Sequence, residues 1–195
     1  MKLVVATQNQ GKLKEIQKIL NLPNIQIVSL ADYSDLPQLQ EPHQTYVENA
    51  REKAKIISQF SQEWTLADDS GLEVLAIDRR PGVFSARYAG KNASDLENNL
   101  KLLEELKNIP LEKRQAEFVC CLVLRHSEGR EFIAEGRLSG LILDKMQGEQ
   151  GFGYDPLFYI PDRKKVLADM TPEEKNQISH RRIALEKMKR QLRQL

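Results

Sequence analysis

Cysteine is scarce in this chain, net charge is almost nil, and long apolar runs are missing. Cys120 and Cys121 are the only cysteines and stand side by side within the apolar run 118–124. Neighbours on a strand point to opposite faces, so a bridge between them would be badly strained. A disulfide-stapled scaffold is excluded, and buried reduced thiols are expected, as in a cytosolic protein. No apolar stretch approaches the ~20 residues of a membrane span, and no signal-peptide pattern precedes the strand-like segment at residues 2–6. The expected location is the cytoplasm, with no membrane partner. A formal net charge of +1 gives no global pull toward nucleic acid. The charge excess is local: from Thr171 onward, seven Lys and Arg face three Glu, which by default reads as a solvated helix face. Repeats, low-complexity tracts and long linkers are also absent. The 195 residues, 41% hydrophobic and 29% charged, are expected to form one domain, 1–195, with a sizeable core.

Apolar periodicity places strands at 2–6, 25–28, 64–67, 72–77, 116–125, 131–143 and 157–160, with 116–125 and 131–143 forming a long hairpin around Ser127-Glu128-Gly129-Arg130. A first helix carries Leu13, Ile16, Ile19 and Leu20 at helical spacing. Three more begin at capping patterns: Thr45 with Glu48, Ser94 with Glu97, and Thr171-Pro172 with Glu174. The second of these leads into Leu96, Leu100, Leu103 and Leu106 at helical spacing. A mixed sheet flanked by helices follows.

Four segments carry candidate chemistry. Asp68-Asp69-Ser70-Gly71 follows the apolar run 64–67, so two carboxylates are expected at a strand end, just before a small-residue turn. Such a tip suits Mg²⁺ beside a phosphate, and equally suits a solvated acidic turn. Thr7-Gln8-Asn9-Gln10-Gly11-Lys12 joins the first strand to the first helix. With Asn9 or Thr7 as N-cap, the free N–H groups and the Lys12 ammonium would face an anion, although capped helix starts after strands are ordinary. Phe152 stands between Gly151 and Gly153, where its ring either stacks on a flat ligand or plugs the local core. Lys175 and His180 would lie about 140° apart on one continuous helix. They can converge on one ligand only if the helix breaks between them, with Ser179 placed to cap a new one.

Together these segments resemble the inosine triphosphate pyrophosphatase, or Ham1, family over nearly the whole chain. The resemblance rests on Thr7 to Lys12, Thr45-Tyr46-Val47-Glu48-Asn49-Ala50, Asp68-Asp69-Ser70-Gly71-Leu72, Pro81-Gly82 with Ser85-Ala86-Arg87-Tyr88-Ala89-Gly90, Phe152-Gly153-Tyr154-Asp155-Pro156, and Lys175 with Ser179-His180-Arg181. Gln8 departs from the pattern, standing where many members carry glycine.

The resemblance implies an elongated, two-lobed α/β fold with a mixed twisted sheet and the active-site cleft between lobes. It also implies Mg²⁺-dependent hydrolysis of non-canonical purine nucleoside triphosphates to monophosphate and pyrophosphate, usually by a homodimer. Asp69 is then the central carboxylate, as proton acceptor, metal ligand or both, with Glu41 a second metal ligand and Asp68 orienting its neighbour. Lys12, the loop from Thr7 through Gln8, Asn9, Gln10 and Gly11, and the Ser70 hydroxyl would hold phosphate. A C6 carbonyl on the base calls for buried donors. The candidates are Lys175, His180, Arg181 and backbone N–H groups from Phe152 through Gly153 and Tyr154 to Asp155. Phe152 would stack on the ring, and the Asp155 carboxylate would either accept from a ring N–H or cap its turn. Two other functions fit the same residues: a pyrophosphatase of related specificity, for example toward modified pyrimidines, and a nucleotide-binding module without turnover.

Overall fold

The computed structural model describes residues 1–195. In chain order the elements are β1 (Lys2–Ala6), α1 (Gln10–Ile19), β2 (Gln26–Ser29), α2 (Tyr46–Ser61), β3 (Trp64–Val74), β4 (Arg80–Gly82), α3 (Asp95–Leu106), β5 (Gln115–Arg125), β6 (Glu131–Ile142), β7 (Phe158–Ile160), β8 (Lys165–Val166), α4 (Pro172–Ile178) and α5 (His180–Leu192). The strands form one mixed sheet in the order β2-β1-β3-β5-β6-β7-β8, with β4 paired to β3. β1 runs parallel to both β2 and β3, with Val4 opposite Val28 on one side and Thr65 on the other. The β3–β4, β6–β7 and β7–β8 pairs are antiparallel. The β5–β6 hairpin turns where His126 N–H bonds to Arg130 and Gly129 N–H bonds back to His126.

By contact the chain divides into two units. The first comprises residues 1–69, 120–136 and 181–195, and the second residues 70–119 and 137–180. In the first, the alternation of a buried strand distributes β1 to two helical layers. Leu3 and Val5 join α1 through Ile16 and α5 through Leu185 and Met188. Val4 and Ala6 join α2 through Ala50, Ala54 and Ile57. In the second, Leu72, Val74, Phe118, Ile142 and Phe158 pack with Leu102 and Leu106 of α3. Burying each aliphatic side chain of this kind stabilises the fold by about 1.5–3 kcal/mol.

One expectation needs correction. The segments 64–67 and 72–77 are not separate strands around an acidic turn: β3 runs unbroken through Asp68, Asp69 and Ser70. The turn comes after Val74, where Asp78 and Arg79 adopt positive φ. A strand holds buried carboxylates when each face supplies partners, and both faces do so here. On α3, Asn98, Asn99, Leu102 and Leu106 face inward, and Leu96 and Leu100 are 55% and 50% exposed. The short strands β4 and β8 escape a reading based on periodicity because two or three residues carry no period.

The caps form as the sequence predicts. Ser94 with Glu97 and Thr171 with Glu174 make reciprocal capping boxes, while Thr45 accepts from Glu48 N–H and donates its hydroxyl to the Glu48 carboxylate at 2.6 Å. The C-terminal helix breaks at Ser179, whose φ of −62° and ψ of 151° are extended. Both cysteines are free and buried, and no helix is long and apolar enough to cross a membrane.

Candidate active site

Because side chains alternate along β3, Asp68 and Asp69 project to opposite faces and enter different environments. Asp68, 1% exposed, meets Lys12 Nζ at 2.7 Å through Oδ1 and Arg181 Nε at 2.8 Å through Oδ2. The Cys120 thiol also donates to Oδ2, at 3.2 Å. Burial alone would push the Asp68 carboxyl up, but the Arg181 and Lys12 charges outweigh it and hold the group well below the usual carboxylate range. Lys12 is the reciprocal case: burial disfavours its charge, and Asp68 more than restores it. Arg181 is fully buried and also pairs with Glu15. The Cys120 thiol is raised well above its ordinary value, chiefly by burial, so it stays protonated and donates.

Asp69, 3% exposed, faces α2. Its Oδ2 accepts from Asn49 Nδ2 at 3.1 Å, and its Oδ1 lies 3.8 Å from Lys53 Nζ. Burial pushes the Asp69 carboxyl up; the nearby Glu41 adds to this and Lys53 opposes it. Lys53 also pairs with Glu41 and donates to the Asp68 carbonyl at 2.8 Å. Asn49 ties the site together: besides Asp69, it accepts from His43 N–H at 2.9 Å and donates to His43 C=O at 3.2 Å. The loop bearing Glu41 is thereby held near Asp69.

Asn49 and Lys53 sit one helical turn apart on the same face of α2. That spacing is the signal the sequence offers, but polar residues on a helix read by default as solvated. The donor set suits Mg²⁺, a hard ion that binds through one or two carboxylates and keeps several waters. Glu41 and Asp69 are the carboxylates, and the Lys53 ammonium already bridges them as a cation would. No cluster of three or more His, Cys, Asp or Glu forms an all-protein cage.

At the β1–α1 junction, Asn9 is the N-cap: its side chain accepts from Lys12 N–H at 3.0 Å. Thr7 Oγ1 in turn accepts from Asn9 N–H at 3.2 Å. Gln8, Asn9 and Gln10 are exposed, and Gly11 is partly so. Gln8 does not adopt positive φ, so its replacement of glycine causes no strain.

In the second unit, the loop around Phe152 is shaped by three glycines at positive φ, Gly148, Gly151 and Gly153. A Cβ on Gly151 would fall 2.1 Å from Asp155 Oδ2. That oxygen accepts from Phe152 N–H at 2.9 Å and from Lys175 Nζ at 2.6 Å. Asp155 therefore caps its loop and holds Lys175, whose ammonium sits 4.5 Å from the Phe152 ring centroid. Tyr154 is buried with its hydroxyl donated to Ser85 C=O at 2.9 Å. His180 is buried and stacks on Phe118, with ring centroids 4.9 Å apart and planes 13° from parallel. Ser70 is partly exposed on β3.

The structure thus assembles Lys12, Asp68 and Arg181 in one cluster, Glu41 and Asp69 around Lys53 in a second, and Phe152, Asp155 and Lys175 in a third. Arg181, expected among the donors to the base, has its guanidinium engaged by Asp68 and Glu15.

A sequence model of the Ham1 family matches residues 3–191. The chain is 46% identical over 188 residues to the dITP/XTP pyrophosphatase of Geobacter sulfurreducens, covering 96% of this chain and 94% of that protein. It is 45% identical over 198 residues to the dITP/XTP pyrophosphatase of Clostridium perfringens, covering 98% and 97%. A solved HAM1 protein from Coxiella burnetii superposes with a TM-score of 0.91 at 39% identity, with both chains covered in full. Similarity this high along almost every residue, on the same backbone fold, places the chain in the Ham1 family.

Proposed function

We propose that this protein hydrolyses deaminated purine nucleoside triphosphates, such as ITP, dITP and XTP, to the monophosphate and pyrophosphate, clearing them from the precursor pool. The observation that carries the reading is the Asp69 carboxylate, buried, oriented by Asn49 and set beside Glu41 and Lys53. Held in one orientation by Asn49, the Asp69 carboxylate takes a proton from water as the water oxygen bonds to the α phosphorus. The α–β anhydride bond breaks, and pyrophosphate leaves. Lys12 and the exposed N–H groups at the start of α1 face the phosphate oxygens, where a helix N-terminus and an ammonium both favour negative charge. The Ser70 hydroxyl, one residue after Asp69, adds a donor.

Glu41 and Asp69 would hold Mg²⁺, which when bound neutralises phosphoryl oxygens and makes the α phosphorus a better electrophile. Phe152 offers a ring for the base to stack on. Lys175, His180 and the loop N–H groups offer donors to a C6 carbonyl. Adenine presents an amine at that position, leaving donor against donor, and mismatches of this kind discriminate by factors on the order of 10⁴. The substrate is free nucleotide, since a net charge of +1 provides little footing on a polyanion. A homodimer acting in the cytoplasm completes the proposal.

The test is the product released from dITP, XTP, dATP and dGTP with Mg²⁺ present or chelated. Pyrophosphate from dITP and XTP, dependent on Mg²⁺ and nearly absent with dATP and dGTP, is the expected result. Orthophosphate as the first product, or binding with no turnover, would overturn the reading. A preference for modified pyrimidine triphosphates would redirect it.

A further inference from the structure

α3 buries residues that packing alone would not select. Leu96 and Leu100 are available, yet they stay exposed, while Asn98 and Asn99 are 3% and 2% exposed. A buried carboxamide is unfavourable unless its polar atoms are matched, so the bonds made by these side chains account for the face the helix buries.

Asn98 accepts from Ala89 N–H at 2.8 Å and donates to Ala86 C=O at 3.3 Å, stitching the 86–89 loop to the helix. Asn99 does the same for a different loop. Its Nδ2 donates to Gly153 C=O at 2.8 Å and to Asp95 C=O at 2.7 Å. One turn earlier, Asp95 Oδ2 accepts from Gly153 N–H at 2.6 Å. Both polar groups of Gly153 are therefore held by the first two turns of α3.

The orientation of the Asn99 amide follows from its partners. Both are carbonyls, so the NH₂ must face them, and the buried Oδ1 is left without a partner. Tolerating a buried, unmatched acceptor is disfavoured, so the two donor contacts outweigh that penalty.

These contacts bear on the residue next door. Phe152 has its own N–H fixed by Asp155, and the residue after it is fixed by Asp95 and Asn99. A loop with three positive-φ glycines would otherwise be free to fluctuate. Here the backbone is clamped on both sides of the ring before any ligand arrives. Such preorganisation reduces the ordering that binding would have to bring about.

We propose that Asp95 and Asn99 are positioning residues for base recognition: by clamping Gly153 they present the Phe152 ring to the purine, and they act on substrate affinity rather than on hydrolysis. The proposal rests on the reading of Phe152 as the base-stacking residue.

The experiment compares Asn99→Leu, Asp95→Ala, Asp95→Asn and Phe152→Ala with the unaltered protein. Its readouts are kcat and KM for dITP, inhibition by inorganic tripolyphosphate as a base-free competitor, and hydrogen exchange across residues 150–155. Asn99→Leu and Asp95→Ala should each raise KM for dITP about tenfold, the scale of one or two lost hydrogen bonds, with kcat little changed. Exchange in the loop should quicken while inhibition by tripolyphosphate stays the same. Asp95→Asn keeps an acceptor for Gly153 N–H and should restore a KM near that of the unaltered protein.

Using two sites guards against one variant failing to fold. If Phe152→Ala raises KM but the α3 variants do not, the positioning role is wrong and the stacking reading stands. A parallel loss of affinity for dITP and tripolyphosphate also overturns the role, since it marks general damage. If Phe152→Ala leaves KM unchanged, the stacking reading fails and takes the proposal with it.

Discussion

Asp68 and Asp69 are adjacent in sequence and opposite in physics. Asp68 is held ionised by the buried Arg181 and the partly buried Lys12, so Asp68→Asn leaves both short of their counter-charge. Breaking a buried pair in this way costs about 3–5 kcal/mol, and urea unfolding at pH 7 should show a loss of that order. Asp69 behaves the other way. A carboxyl with a raised folded-state pKa adds stability that is full below its unfolded value and is lost as pH rises through the folded one. At pH 7 its charge is therefore a burden on the fold, and Asp69→Asn should unfold at the same or higher urea concentration. Its kcat should nonetheless fall by about 10²–10⁴ with nucleotide binding retained. If both variants are equally destabilised, the two environments do not differ as described. The motif residues around this pair were legible because carboxylates, lysine and small residues cluster along the chain. Asn49 and Lys53 were not: their partners, Asp69 and Glu41, lie on other elements, and nothing local to α2 names them.

At the scale of elements, capping residues are the most legible part of the sequence, because a cap is satisfied within four residues. Glu97 and Glu174 both lie below the ordinary glutamate range, first because they accept from the backbone N–H of Ser94 and Thr171. A depressed acid adds stability above its unfolded pKa and loses it as pH falls through the folded one. Glu97→Gln and Glu174→Gln should therefore lower Tm at pH 7, and the gap to the unaltered protein should close as pH falls below the usual carboxylate range. A gap that persists into that range would mean the carboxylate charge is not what the caps use. The face an element buries is less local. α3 has a leucine stripe and buries two asparagines instead, because the loops at 86–89 and 153 offer their backbone groups to that side of the helix. In sequence, β3 reads as two strands for a related reason: consecutive carboxylates look like a turn until cations from α1, α2 and α5 are placed against them.

For the molecule as a whole, the two cysteines provide a probe of global unfolding. Both are free and buried, and burial foremost pushes the Cys121 thiol up to about 12 and Cys120 well above its ordinary value. Thiolates are the reactive form, so neither should react with a disulfide reagent at pH 8 in the native protein. Both should react together, at the rate of unfolding, when urea is added. Fast labelling of either under native conditions would show that β5 opens locally. The amino-acid sequence was enough for the helix starts, the longer strands other than β3, the thiol state and the family motifs, because each depends on neighbours within a turn or a pleat. The fold assigns the roles of Asp68, Asp69, Asn49, Lys53, Asn99 and Arg181. A buried polar side chain takes its protonation and orientation from groups distant in the chain, and folding is what brings those groups within hydrogen-bonding reach.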